Sequence, residues 1–160
     1  MATLAATTRY FNAGTAKIHF LPTIAAATKV PTRLEINAGT DLTNEIADLS
    51  GWLITSGTIA TPDLGSDFEE NMPGKIKVDE SSLTFYADIG GADVRTVLPR
   101  LTNGFILVAD GGDAGGRKAD VFPIRVGSVG KIRSIGEDAA RLTITFGITD
   151  KPAENITLPV

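Results

Sequence analysis

Apolar and polar residues alternate along much of this chain, in short runs separated by glycine and proline. The clearest run is 141–149, where Leu142, Ile144, Phe146 and Ile148 alternate with Thr143, Thr145, Gly147 and Thr149. A period of two describes a strand with one buried face. The same period predicts strands at 17–21, with Ile18 and Phe20 opposing Lys17 and His19, and at 33–36, with Leu34 and Ile36 opposing Arg33 and Glu35. A further strand is predicted at 81–88, where Leu83, Phe85 and Ala87 face away from Thr84, Tyr86 and Asp88. Residues 52–61 read as extended, with Gly57 marking a bend or bulge. Residues 121–133 form a long strand region interrupted at Gly127 and Gly130. Residues 105–109 are apolar at every position, which predicts a strand covered on both faces.

One segment carries helical spacing. Val94, Val97, Leu98 and Leu101 fall at i, i+3, i+4 and i+7 behind a capping Asp93, and Pro99 makes that helix short or kinked. The run Asp41-Leu-Thr-Asn-Glu45 suggests a cap followed by a single helical turn. Residues 62–74 fit neither period: they hold Asp63, Asp67, Glu69 and Glu70 together with two prolines and two glycines. A long loop of this kind in a compact domain is a place to look for function. Residues 1–14 and 150–160 read as N- and C-terminal arms. The expected fold is mainly β, a β-sandwich with one short α-helix, in a single domain spanning 1–160.

Composition narrows the chemistry. A chain of 160 residues buries about 70 % of its unfolded surface and needs no metal or disulfide to hold it. It has no cysteine, which removes thiolate metal sites and cysteine nucleophiles and suits a reducing compartment. The N-terminus lacks the basic start and apolar stretch of a signal peptide, and no apolar run is long enough for a membrane helix. His19, the only histidine, reads as a surface or interface residue because no partner motif accompanies it. The glycines of 111–118 match the spacing of a phosphate loop, but Arg117 stands where lysine belongs and a strand follows in place of a helix. A hairpin turn is the better reading. Asp110 and Asp113 lack the acidic spacing of a calcium loop. Adjacent acidic pairs such as Glu69 and Glu70 point to opposite faces of extended chain, so they make poor catalytic pairs. No catalytic, cofactor or metal residues are assigned, and the chain is not expected to be an enzyme.

Charge layout says more. The net charge is −4, so nothing attracts nucleic acid globally. Acidic residues gather at Asp63, Asp67, Glu69 and Glu70, whereas Arg117, Lys118, Arg125, Lys131, Arg133 and Arg141 make the C-terminal half basic. One reading is two solvated faces. The other is complementarity between copies, with Asp63, Asp67, Phe68, Glu69 and Glu70 of one chain meeting Arg125, Lys131 and Arg133 of another. Such a head-to-tail contact generates rings or filaments.

The run Asp93-Val-Arg-Thr-Val-Leu-Pro-Arg-Leu-Thr-Asn-Gly-Phe-Ile-Leu-Val-Ala-Asp-Gly-Gly112 resembles the helix-to-strand segment of major tail tube proteins of long-tailed, non-contractile bacteriophages. So do Asp120-Val-Phe-Pro-Ile-Arg-Val126 and Arg141-Leu-Thr-Ile-Thr-Phe-Gly-Ile-Thr-Asp-Lys-Pro-Ala-Glu154, the likeness being greatest to tail proteins of actinobacteriophages. The resemblance implies six copies per ring, rings stacked into a hollow tube, and an inner β-barrel built from neighbouring sheets. It implies as partners the tape measure protein, a tail terminator and double-stranded DNA in passage, with no membrane insertion and no cofactor. It places the protein in the virion tail, after assembly in the host bacterial cytoplasm. By this likeness 62–74 bridges rings and the arms join subunits. The basic stretch 125–133 either lies at an interface or on the outside, or the lumen is not uniformly negative. Alternatives within the same reading are a tail terminator or a capsid decoration protein. A carbohydrate-binding module would want exposed aromatic platforms beyond Trp52, Tyr10 and Tyr86.

Overall fold

The computed structural model describes residues Met1–Val160. The chain is mainly β. Its strands are β1 (Lys17–Leu21), β2 (Thr40–Asp41), β3 (Ile46–Ser50), β4 (Ile54–Thr61), β5 (Glu70–Val78), β6 (Ser81–Tyr86), β7 (Asn103–Ala109), β8 (Lys118–Ile132), β9 (Arg141–Ile148) and β10 (Ala153–Thr157). One short helix, α1, spans Arg33–Ala38. An eight-stranded sheet runs in the order β2-β1-β7-β8-β9-β6-β3 with β10 added on β8, and β4 and β5 form a separate two-stranded sheet. The strand path ends at β2 and β3 and does not close into a barrel. No helix is long and apolar enough to cross a membrane.

The chain divides into two compact units, Met1–Asn44 with Asn103–Pro123 and Pro152–Val160, and Glu45–Thr102 with Ile124–Lys151. In the first, β1 pairs with β7 so that Leu21 lies opposite Phe105 and His19 opposite Leu107. Leu21, Leu107, Ala109, Ala119 and Val121 pack with Ile36 of α1 and with Ile156 and Leu158 near the C-terminus. α1 thus contributes Ile36 to the packing around β7. Gly104 is required here, because a Cβ would come within 2.4 Å of the Phe20 ring.

The second unit is built on β6, whose Leu83 and Phe85 are buried with Leu142, Ile144 and Phe146 of β9. Residues Ser81 to Tyr86 pair in register with Phe146 to Arg141. On the other face of that pair, the Thr84 and Thr143 hydroxyls meet at 3.1 Å. Strict alternation in 141–149 thus delivers what it predicts, because every second side chain enters one core.

Four local expectations change. Residues 33–36 form a helix where a strand is expected. Thr32 and Glu35 make a capping box, in which the Thr32 hydroxyl accepts from the Glu35 amide and the Glu35 carboxylate accepts from the Thr32 amide. This Thr-x-x-Glu spacing outweighs four residues of alternation. Asp93 caps only a single 3-10 turn, Val94–Thr96. Pro99 denies the next turn a donor, and Leu101 leaves the helical path at φ +68° to stand 64 % exposed. Residues 150–160 are largely folded in: β10 pairs with β8, and Ile156 and Leu158 are buried. His19 is also buried, in contrast to its surface reading, because both faces of β1 are covered.

Candidate assembly interface

Residues 62–74 are the far end of a long hairpin. β4 and β5 pair from Ile54 opposite Val78 to Thr61 opposite Glu70, with a register shift between Ser56 and Thr58 that places the bulge at Gly57. Residues 70–74, expected as loop, are thus strand, and the irregular tip is 62–69. Gly74 lets the two backbones approach closely, since a Cβ there would lie 3.2 Å from the Gly57 backbone.

The root is tightly held. Gly51 adopts φ +81°, and a Cβ there would come within 2.3 Å of Glu80 O. Trp52 follows at φ +61°. Its amide donates to Ser81 Oγ at 3.0 Å, its Nε1–H donates to Ser82 O at 3.1 Å, and its ring lies 5.4 Å from that of Phe146. Ser81 is fully buried and donates in turn to Asp79 O. Trp52 thus works as an anchor, where the sequence allowed only a chain-extended aromatic.

Beyond this root almost nothing covers the ribbon. Ile59 and Met72 oppose each other and are 49 % and 50 % exposed, and Phe68 in the tip is 72 % exposed. Leu64 is fully exposed. A lone two-stranded ribbon is marginal in water, and exposed apolar side chains on it mark a contact surface. Asp63, Asp67, Phe68 and Glu69 all sit in the tip, and Glu70 opens β5 opposite Thr61. Local turns shape the tip: the Gly65 amide donates to Asp63 Oδ1 and the Phe68 amide to Ser66 Oγ.

The basic candidates do not form one patch. Arg125 is exposed on β8 opposite Gly147. Lys131 and Arg133 lie at and just past the other end of β8, where they line a cavity of about 480 Å³ with Ile132, Asp138, Ala139 and Arg141. Arg141 stands over the Tyr86 ring at 5.8 Å, and its Nε is buried without a hydrogen-bond partner. Arg141 belongs among the basic residues of the sequence but not among its candidate contacts. Its position at the head of the alternating strand is the signal that could have singled it out. Nearby, Arg95 grips Asp93 with two bonds of 2.7 Å, and these hold the Asp93 carboxyl below its ordinary range.

Other sequence features settle into structural roles. The 111–118 segment is the turn joining β7 to β8, with Gly112 and Gly116 at positive φ and Arg117 donating to Gly111 O. Asp113 accepts from Arg33 at 2.6 Å, while Arg33 also donates to Pro159 O, which ties helix, turn and C-terminus together. His19 Nε2 lies 3.8 Å from Asp113 and makes no hydrogen bond. Burial pushes the Asp110 carboxyl up, with help from Asp120.

A family model described as "Phage tail tube protein" matches residues 4–160. No curated protein sequence matches the chain. Among solved structures, it is similar to a chain of an extracellular contractile injection system, the PVC sheath/tube terminator in extended state. That likeness has 15 % identity, covers 92 % of this chain and 97 % of the other, and has a TM-score of 0.61. It is also similar to a chain of the anti-feeding prophage cap, a tube terminating cap, at 13 % identity, 97 % and 94 % coverage and a TM-score of 0.58. A chain of the PVC sheath-tube complex in extended state matches at 16 % identity, 91 % and 89 % coverage and a TM-score of 0.56. At these identities the likeness is one of fold.

Proposed function

The chain belongs to the phage tail tube protein family, and on that premise we propose that its copies polymerise as stacked hexameric rings into the tail tube through which genome DNA leaves the virion. The observation that carries this reading is the β4–β5 ribbon, fixed at Trp52 yet uncovered along its length, with acidic and apolar side chains together at the tip. An isolated protein gains nothing from such a ribbon, whereas a neighbouring subunit would bury it. The open ends of the sheet at β2 and β3 supply unpaired strand edges that neighbours' strands would satisfy, giving the inner barrel of the ring. Exposed Leu4, Tyr10 and Phe11 suit residues 1–14 to act as a second connector. A net charge of −4 suits a conduit that DNA slides through without sticking. The tape measure protein and a tail terminator are its other partners in this scheme, and its work is structural.

Negative-stain microscopy at rising protein concentration tests the proposal. Long hollow tubes are the expected result, and single closed rings or monomers under every condition would overturn it. The variant Asp67→Lys, Glu69→Lys, Glu70→Lys should remain folded by circular dichroism and form no tubes at concentrations where the wild type does. Normal tubes from that variant would remove the ribbon tip from the assembly contact.

A further inference from the structure

The second unit carries its protruding ribbon and its basic cavity at opposite ends of the same strand. β3 pairs with β6 up to Ser50 opposite Ser82, and the ribbon departs there, anchored on Ser81 and Ser82 through Trp52. The cavity lies at the far end, where Tyr86 pairs with Arg141 and Ala87 joins Lys131 and Arg133 in the lining. Five residue steps along β6 separate the two, roughly 17 Å at 3.4 Å per step. The tip stays exposed, with Leu64 and Phe68 uncovered by their own chain.

Tip and cavity match in chemistry. The tip presents Asp67, Glu69 and Glu70 around Phe68. The cavity presents Lys131, Arg133 and Arg141, against the single acid Asp138, over a floor that includes Ala87 and Ala139. Arg141 lines the cavity beside Lys131 and Arg133, and a carboxylate is the acceptor that a guanidinium binds best. We infer that this cavity is the receptor for the β4–β5 tip of a second copy of the chain, with a tip carboxylate on Arg141 and Phe68 against the alanines. The inference rests on the assembly reading above and gives it an address. Repeated head to tail, with each tip in the cavity of the next copy, such a contact builds a stack, whereas a reciprocal pairing would close a two-fold dimer. The stacked-ring reading above selects the head-to-tail arrangement.

The test uses paired charge reversals in the full chain. A donor variant carries Asp67→Lys, Glu69→Lys and Glu70→Lys, and a receptor variant carries Lys131→Glu and Arg133→Glu. Each alone should need at least about tenfold more protein to assemble, since a like-charged contact replaces an attractive one. Mixing the two should restore tubes, because each then meets a complementary partner. If the receptor variant assembles normally while the donor variant does not, or if mixing restores nothing, the cavity is not the receptor, although the tube reading stands. If wild type never forms tubes, both fall. Should the receptor variant fail to fold, Phe68→Cys with Ala139→Cys serves instead, in a chain with no other cysteine. Assembled protein should then give a ladder of covalent oligomers on a non-reducing gel, and tubes without a ladder would overturn the assignment.

Discussion

Replacing Trp52 by phenylalanine, glycine and alanine should destabilise the protein in that order, an order opposite to usual experience for the last two. The indole Nε1–H donates to Ser82 O at 3.1 Å. Phenylalanine loses that bond and keeps most of the ring contact, a cost of about 1 kcal/mol. Alanine also loses the contact with Phe146, about 0.5–1.5 kcal/mol, and the apolar burial of a partly covered ring, about 1 kcal/mol more. Its total is therefore about 3 kcal/mol. Glycine loses the same side chain, but residue 52 sits at φ +61°. An L-residue there carries about 1–2 kcal/mol of backbone strain that glycine avoids, partly offset by its greater unfolded-state entropy of about 0.5–1 kcal/mol. Glycine should thus be about 0.5–1 kcal/mol more stable than alanine.

The assay is urea unfolding of unassembled protein followed by far-ultraviolet circular dichroism, since Trp52 is the only tryptophan and fluorescence disappears with it. Alanine proving no worse than phenylalanine would refute the anchoring role. Glycine falling well below alanine would refute the backbone-strain argument.

Other outcomes follow from the packing. Asp93 has a folded-state pKa below its ordinary value of 3.8, held there first by the Arg95 side chain. Its contribution is complete above that value and is lost as pH falls through the lowered pKa. Asp93→Asn should therefore reduce stability at pH 7 and narrow its deficit below about pH 4, which parallel urea titrations would reveal. An undiminished deficit in acid would contradict the pairing. Asp110, whose carboxyl burial raises, works in the opposite direction, so Asp110→Asn should raise stability at neutral pH. Leu158→Ala should cost about 2–5 kcal/mol by cavity formation, because Leu158 is buried against Leu21 and Leu107. A neutral result by thermal unfolding would mean that the C-terminal segment is not docked.

The sequence alone determined the mainly β character, the strands at 17–21 and 141–149, and the place of the ribbon tip. Those features rest on local rules: a period of two puts alternate side chains on one face, and a cluster of like charges with proline and glycine resists packing. Tertiary structure decided everything that depends on competition between rules. Thr32 and Glu35 closed a capping box across residues that alternate like a strand, while Pro99 cut a helix that spacing alone would extend. Residues 153–158 look like an arm in sequence because their apolar residues are few, and they fold in because β8 offers an edge and Leu21 and Leu107 a surface. The separation of Arg125 from Lys131 and Arg133 could not be read from a list of charges. It follows from the length of β8 and from the pairing that brings Arg141 of the next strand beside Lys131 and Ile132. Local periodicity is written in neighbours along the chain, whereas a binding surface is written in strand register, which only the folded pairing sets.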